Sequence, residues 1–348
     1  MMKLGVFYWA LSSAILACGL ALMVTGAVVH TNTNDRVSFI ETAENVTALD
    51  ISLRESALEL RSTDDADACT IEFVSVGEDA GMSEDDGLLT IYDTKKKWFS
   101  FLSFGWRDYD SKIILTVPKT EYENVRIDLG LTDDNSIRNL ACLDLDLDMG
   151  TGDVNLKKVV VAHEFQFHGG TGNVDIESLE VDNKFTMGLG TGSIEMKDCR
   201  FGSDLLVDAG TGDFRCKDMT VLGNLDVDLG AGDLKLEKVD VDGTCEFDCG
   251  TGNLTAEKSK FHQLDMDCGA GNVTMKDTKL LGDVEIDHGA GNLTIEIDGK
   301  ATNYWLDIDQ GAGKLESGGI PMGTPLASDA HVIRVDGGAG NIQFMIKD

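Results

Sequence analysis

Proline is nearly missing from this chain, at 3 residues in 348, and aromatic side chains make up only 7% of it. With 39 glycines and 42% hydrophobic residues spread in short alternating runs, that scarcity argues against low-complexity disorder and for a repetitive, core-forming chain. Basic residues are also short, 29 Lys and Arg against 61 Asp and Glu, a net charge of -32. Such a field repels nucleic acid and anionic membrane surfaces, and it suits cations, basic surfaces or plain solubility. None of the 8 cysteines forms a CxxC pair, so a zinc cluster is unsupported, and no two of the six histidines take a ligand-pair spacing with an acidic partner.

Charge is absent altogether from residues 4–29, a run of 26 positions preceded by Lys3 and followed by the polar "HTNTNDR". That length crosses a bilayer and exceeds the apolar core of a cleaved signal peptide, so residues 1–30 are expected to form a single-pass transmembrane signal anchor. Lys3 beside the amino terminus places the short end in the cytoplasm and the rest outside, on the extracytoplasmic side of the cell membrane. "ILAC" ending at Cys18 is a competing lipoprotein-like signal, but Leu16 fits it poorly and the apolar run continues beyond it.

What the chain has in abundance is G-[T/A]-G. Its first glycine falls at Gly150, Gly170, Gly190, Gly210, Gly230, Gly250, Gly269, Gly289, Gly311 and Gly338, a spacing of twenty with few departures. Five and three positions before that glycine every copy is apolar, as with Leu225 and Val227 before Gly230. Four after it the residue is again apolar, and six after it mostly so, as with Leu234 and Leu236. This is the period of a β-strand, broken by a tight turn and resumed. Two short strands per copy cannot bury their own apolar face, but copies stacked in parallel can. The fold expected is all-β: a parallel β-solenoid with coils of about 20 residues and two short strands per coil, preceded by the transmembrane helix. Ten coils at about 4.8 Å would make a rod on the order of 50 Å long. The glycines serve a turn that needs positive φ or close backbone stacking.

Around the repeats, residues 31–45 read as a polar stalk, residues 46–124 as an irregular β lead-in or cap, and residues 125–348 as the solenoid. "VRIDLGLTDDNSI" is a degenerate coil with Thr132 where the second glycine belongs. "SGGIPMGTPLASDAH" is expected to be a loop thrown out from one coil edge, and "IQFMIKD" the last strand at an open end.

Two groups of residues could bind something. Two positions before the first glycine runs an acidic ladder that includes Asp208, Asp228 and Asp248, interrupted by His168 and Gly188. Three after it runs a second ladder, with Asp213 and Asp233 among Asn, Ser and Lys. Stacked oxygens could hold calcium. The drift to Asn and Lys, however, suits hydrogen-bonded turns, and known calcium solenoids use a nine-residue repeat instead. The second group is the aromatic cluster Trp98, Phe99, Phe101, Phe104 and Trp106 behind Lys95, Lys96 and Lys97. It reads as a cap on the solenoid core or as a patch for a partner, a carbohydrate or the membrane. No residue set points to catalysis or a cofactor, because the acids follow the repeat instead of departing from it at one place. Cys249 and Cys268 take equivalent positions in adjacent copies, within disulfide reach or as a buried reduced pair.

Val117, Pro118 and Lys119 ahead of serial I-D-x-G-[A/T]-G-[D/N]-[V/L] units make residues 46–348 resemble the bacterial putative-adhesin family, defined by a domain of unknown function. The resemblance implies a surface-exposed parallel β-solenoid and carries no catalytic residues. The function expected is a membrane-anchored binding or scaffold protein whose partner is an unidentified cell-surface protein or glycan. An envelope stress or signalling accessory is the alternative, and a polysaccharide-acting enzyme is a more remote one.

Overall fold

A computed structural model describes residues 36–93, 111–323 and 330–347. The transmembrane run at residues 4–29 lies outside these, and no helix among the described residues is long and apolar enough to cross a membrane.

Every G-[T/A]-G copy becomes a coil of the expected solenoid. In residues 205–221, strand Leu205–Thr211 buries Leu205, Val207 and Ala209, and strand Phe214–Val221 follows the glycine corner. Each strand pairs in parallel and in register with its equivalents twenty residues away, so Leu205 faces Leu225, and Phe214 faces Leu234. The core is one continuous apolar column system, with rungs such as Phe165 on Phe185, their rings stacked at 4.4 Å.

The two glycines of the corner have different constraints. The second has φ between +134° and +150° in all ten copies, and a Cβ on Gly232 would sit 1.9 Å from the Gly212 carbonyl oxygen. The first has ordinary φ but is close-packed, and a Cβ on Gly230 would lie 2.7 Å from the Gly210 oxygen.

The expectation of two strands per coil omits a corner. Lys158, Ser178, Asp198, Asp218, Lys238, Lys258 and Asp277, each eight residues after the first glycine, are left-handed at φ 52–60°. There the alternation slips by one residue and the second strand bends onto a third side. Two further buried columns result, among them Val159 and Val161, Leu179 and Val181, and Met219 and Val221.

The ends also depart from expectation, because the coils do not stack in chain order. Strand Ala48–Leu53 lies between Leu88–Tyr92 and Glu121–Leu131, and Ala57–Thr63 lies between Lys112–Pro118 and Asn135–Arg138. Residues 48–63 are therefore a regular coil inside the stack, within the region read as irregular. The stretch read as a polar stalk contributes strand Arg36–Ala43, whose Val37 and Ala43 are buried. It pairs antiparallel with Cys69–Gly77, which pairs antiparallel with Lys112–Pro118, while Gly81–Asp85 pairs antiparallel with Leu88–Tyr92. This change of direction ends the parallel ladder and covers its edge.

At the other end, His331–Ala339 inserts between Val284–Ala290 and Tyr304–Ala312. The last strand in sequence, Ile342–Lys347, is thus internal, and the terminal coil is the one before it. The excursion between them folds back as more than a loop. Ile320 is buried, Leu306 N–H donates to the Pro321 carbonyl at 2.9 Å, and Met322 bridges Leu306.

Where the glycine turn is missing, polar side chains complete the backbone. The buried Asp93 carboxylate accepts N–H bonds from Arg54, Glu55 and Ser56 at 2.7–3.0 Å. In the degenerate coil the buried Asn135 takes the place of an apolar rung, accepting from Leu58 N–H at 3.0 Å and donating to Thr132 and Asp153 carbonyls. No buried side-chain nitrogen or oxygen among the described residues lacks a partner.

Gly232→Ala should therefore cost about 3 kcal/mol or more, since it combines a disfavoured φ with a backbone clash. Gly188→Ala, whose added Cβ meets nothing nearer than the His168 ring at 3.9 Å, should stay within about 0.5 kcal/mol. Urea denaturation midpoints of the two variants test the difference.

Candidate functional site

The first side of each coil turns two residues outward, four and two positions before the corner glycine. Across four consecutive coils these are Asp226 and Asp228, Glu246 and Asp248, Asp265 and Asp267, Glu285 and Asp287, aligned by strand register into two columns. Adjacent acids in a column are about 4.8 Å apart, where like charges in water repel by about 1 kcal/mol. Among the described residues none of these eight has a Lys, Arg or His within 4.0 Å. Burial, together with Asp248, Asp208 and Asp226, pushes the Asp228 carboxyl above its ordinary range.

The next side of the coil carries charges of both signs that pair between coils. Lys157 meets Glu177 at 2.6 Å, and Lys217 meets Glu237 at 3.0 Å. The hydrogen bond from each lysine holds its partner carboxyl below the usual range. The same stacking therefore gives one side of mixed charge and one acidic side.

The second ladder forms a hydrogen-bonded turn stack. The Asp213 carboxylate accepts Asp233 N–H at 2.9 Å, Asp233 accepts Asn253 N–H at 2.9 Å, and Asn253 accepts Asn272 N–H at 3.0 Å. The Asp233 N–H is the main reason the Asp213 carboxyl lies below its usual range, with Arg215 adding to it. Of the five ladder acids considered for calcium, Asp208, Asp228 and Asp248 stand in the outward column, while Asp213 and Asp233 are engaged at the corner. None of the five belongs to a group of three ligand atoms within 4.8 Å among the described residues.

A family model described as Toastrack DUF4097 matches residues 46–248 and again residues 180–332. The chain belongs to this family. None of the curated proteins matches it. Among solved structures, the chain is similar to a "putative cell adhesion protein" from Clostridium sporogenes ATCC 15579, at 11% identity and a TM-score of 0.20, covering 90% of this chain and 100% of the other. It is also similar to a "putative adhesin" from Parabacteroides distasonis ATCC 8503, at 13% identity and a TM-score of 0.33, covering 88% and 96%.

In this Toastrack chain the acidic ladder breaks at His168 and Gly188. The small residues Gly169 and Gly188 leave a shallow depression of about 740 Å³, lined also by Asp148, Leu189 and Asp208. His168 Nδ1 lies 3.5 Å from Asp148, and Asp146, Asp148 and His168 are the one group of three metal-capable side chains among the described residues. Sequence spacing gives no histidine an acidic partner, but coil stacking supplies three, since His163 meets Asp144 at 3.9 Å and His262 meets Asp242 at 3.7 Å. The patch Trp98, Phe99, Phe101, Phe104 and Trp106 lies outside the described residues.

The Asp228 shift fixes the sign of a pH effect. The folded chain holds this proton more tightly than the unfolded chain, so the penalty is present at neutral pH and disappears as pH falls through the raised folded-state pKa. Asp228→Asn should raise the melting temperature at pH 7 in low salt. The gain should shrink in 1 M salt, which screens the neighbouring carboxylates but leaves the burial cost, and should vanish as pH falls below the ordinary Asp value of about 3.9. Melting curves across pH and salt check both limits.

Proposed function

We propose that this Toastrack chain is a membrane-anchored, extracytoplasmic rod without catalytic activity, which attaches through its acidic side to a cationic cell-surface protein or glycan. The observation that carries this reading is the set of eight carboxylates on four coils, none within 4.0 Å of a Lys, Arg or His among the described residues, although Arg334 stands beside Glu285 in register. Self-repulsion of that kind is relieved when a basic surface neutralises it, and a rigid array of fixed charge steers such a surface during encounter. Anchoring is supported by the uncharged run at residues 4–29 behind Lys3. The absence of catalysis is supported by the way the acids keep to the repeat columns.

The test is retention of cell-envelope material by the full chain and by a variant with Asp226→Asn, Asp228→Asn, Glu246→Gln and Asp248→Asn. Retention by the parent should fall steeply with salt and drop at least about tenfold in the variant, whose melting temperature should be equal or higher. Retention indifferent to both salt and the four substitutions would refute the acidic side as the contact.

A further inference from the structure

One inward column changes character partway along the rod. The residue just before the first corner glycine is Leu189, Ala209 and Leu229 in successive coils, then Cys249, Cys268 and His288. Cys249 and Cys268 are direct register partners on adjacent parallel strands. No other two described cysteines face each other in this way, since Cys216 lies opposite Met196 and Leu236, and Cys245 opposite Leu225 and Leu264.

We propose that Cys249 and Cys268 form a reversible disulfide between neighbouring coils, made by exchange with a disulfide-class oxidant such as oxidised glutathione. Register places their Cα atoms about 4.8 Å apart with both side chains inward, inside the span a disulfide accepts. Parallel Cβ vectors about 4.8 Å apart need to close by about 0.3 Å to enter the disulfide range and by about 1 Å to reach its mean. Both cysteines sit beside the glycine corner at the edge of the core and are 5% exposed, against 0–3% for the other described cysteines. The neighbouring Cys249 holds the Cys268 thiol below its ordinary range.

Cys268 thiolate attacks one sulfur of the oxidant, breaking its S–S bond and releasing one thiol after protonation. Cys249 then loses its proton and attacks the Cys268 sulfur, forming the bond between coils and expelling the second thiol. The pair loses two electrons and two protons, and the oxidant gains them. The bond closes a loop through one coil and fixes neighbouring coils to each other, so it limits local opening of the stack. His288, next in the column and the register partner of Cys268, donates its Nε2–H to the Gly271 carbonyl at 2.9 Å. This inference is independent of the acidic-side binding proposed above.

The experiment equilibrates the full chain across ratios of oxidised to reduced glutathione, then denatures it, alkylates free thiols and maps peptides by mass without reduction. The expected result is a linked peptide pair containing Cys249 and Cys268, loss of two alkylation adducts, and a higher melting temperature that dithiothreitol reverses. Cys249→Ala keeps an apolar residue already used at Ala209 in the same column, so it should fold, give no linked peptide and melt at one temperature at every ratio. Full alkylation of both cysteines at every ratio would overturn the proposal, as would linkage of Cys268 to a different cysteine.

Discussion

Everything in this molecule depends on in-register backbone pairing between coils. Once a strand hydrogen-bonds to its equivalent twenty residues away, each side chain is given a like neighbour above and below. The corner must then have the same shape in every coil, which is why the second glycine of Gly-x-Gly keeps φ near +140° throughout. Like neighbours favour apolar columns in the core and Asp or Asn columns at the turn, where each side chain accepts the next backbone N–H. They are unfavourable for charge, and the two outer sides answer this differently. One mixes lysine and glutamate, pairing Lys157 with Glu177 and Lys217 with Glu237 between coils, and the other stacks acid on acid.

A parallel stack also leaves a problem at its ends, because the last coil presents unpaired backbone to solvent. Both ends meet it by placing coils out of chain order. At one end the terminal level gives way to antiparallel strands, and Asp93 supplies the acceptors that a further turn would have offered. At the other, the final strand of the sequence is drawn into the interior, and the Ile320 to Met322 segment covers the coil displaced outward.

The repeat, its period and the columns around the glycines are legible in the sequence because a strand alternates strictly and the corner is marked by a residue type. The second corner is not legible for the converse reason. Lys, Ser and Asp hold the left-handed positions there, without a glycine to mark them, and the phase slip they cause hides the columns of Val159 and Val161 from a period-two reading. Stack order at the ends is also hidden, since any coil matches the column pattern of any other and only long-range pairing chooses among them. The Asp ladder was readable as a row. Its doubling by Asp226, Glu246, Asp265 and Glu285, and the missing counter-charges, emerge only when the sides of the coil are known. His168 beside Asp148 is a contact at a separation of twenty residues, a distance with no meaning until the solenoid supplies it.

The most direct test is the neighbour relation at the carboxy-terminal end, measured by amide-to-amide nuclear Overhauser contacts in deuterated protein. Stacking by register predicts contacts from residues 284–287 to residues 333–336, and from those to residues 306–309, with none between 284–287 and 306–309. Direct contacts between residues 284–287 and 306–309 would mean that the coils stack in chain order and would contradict the account.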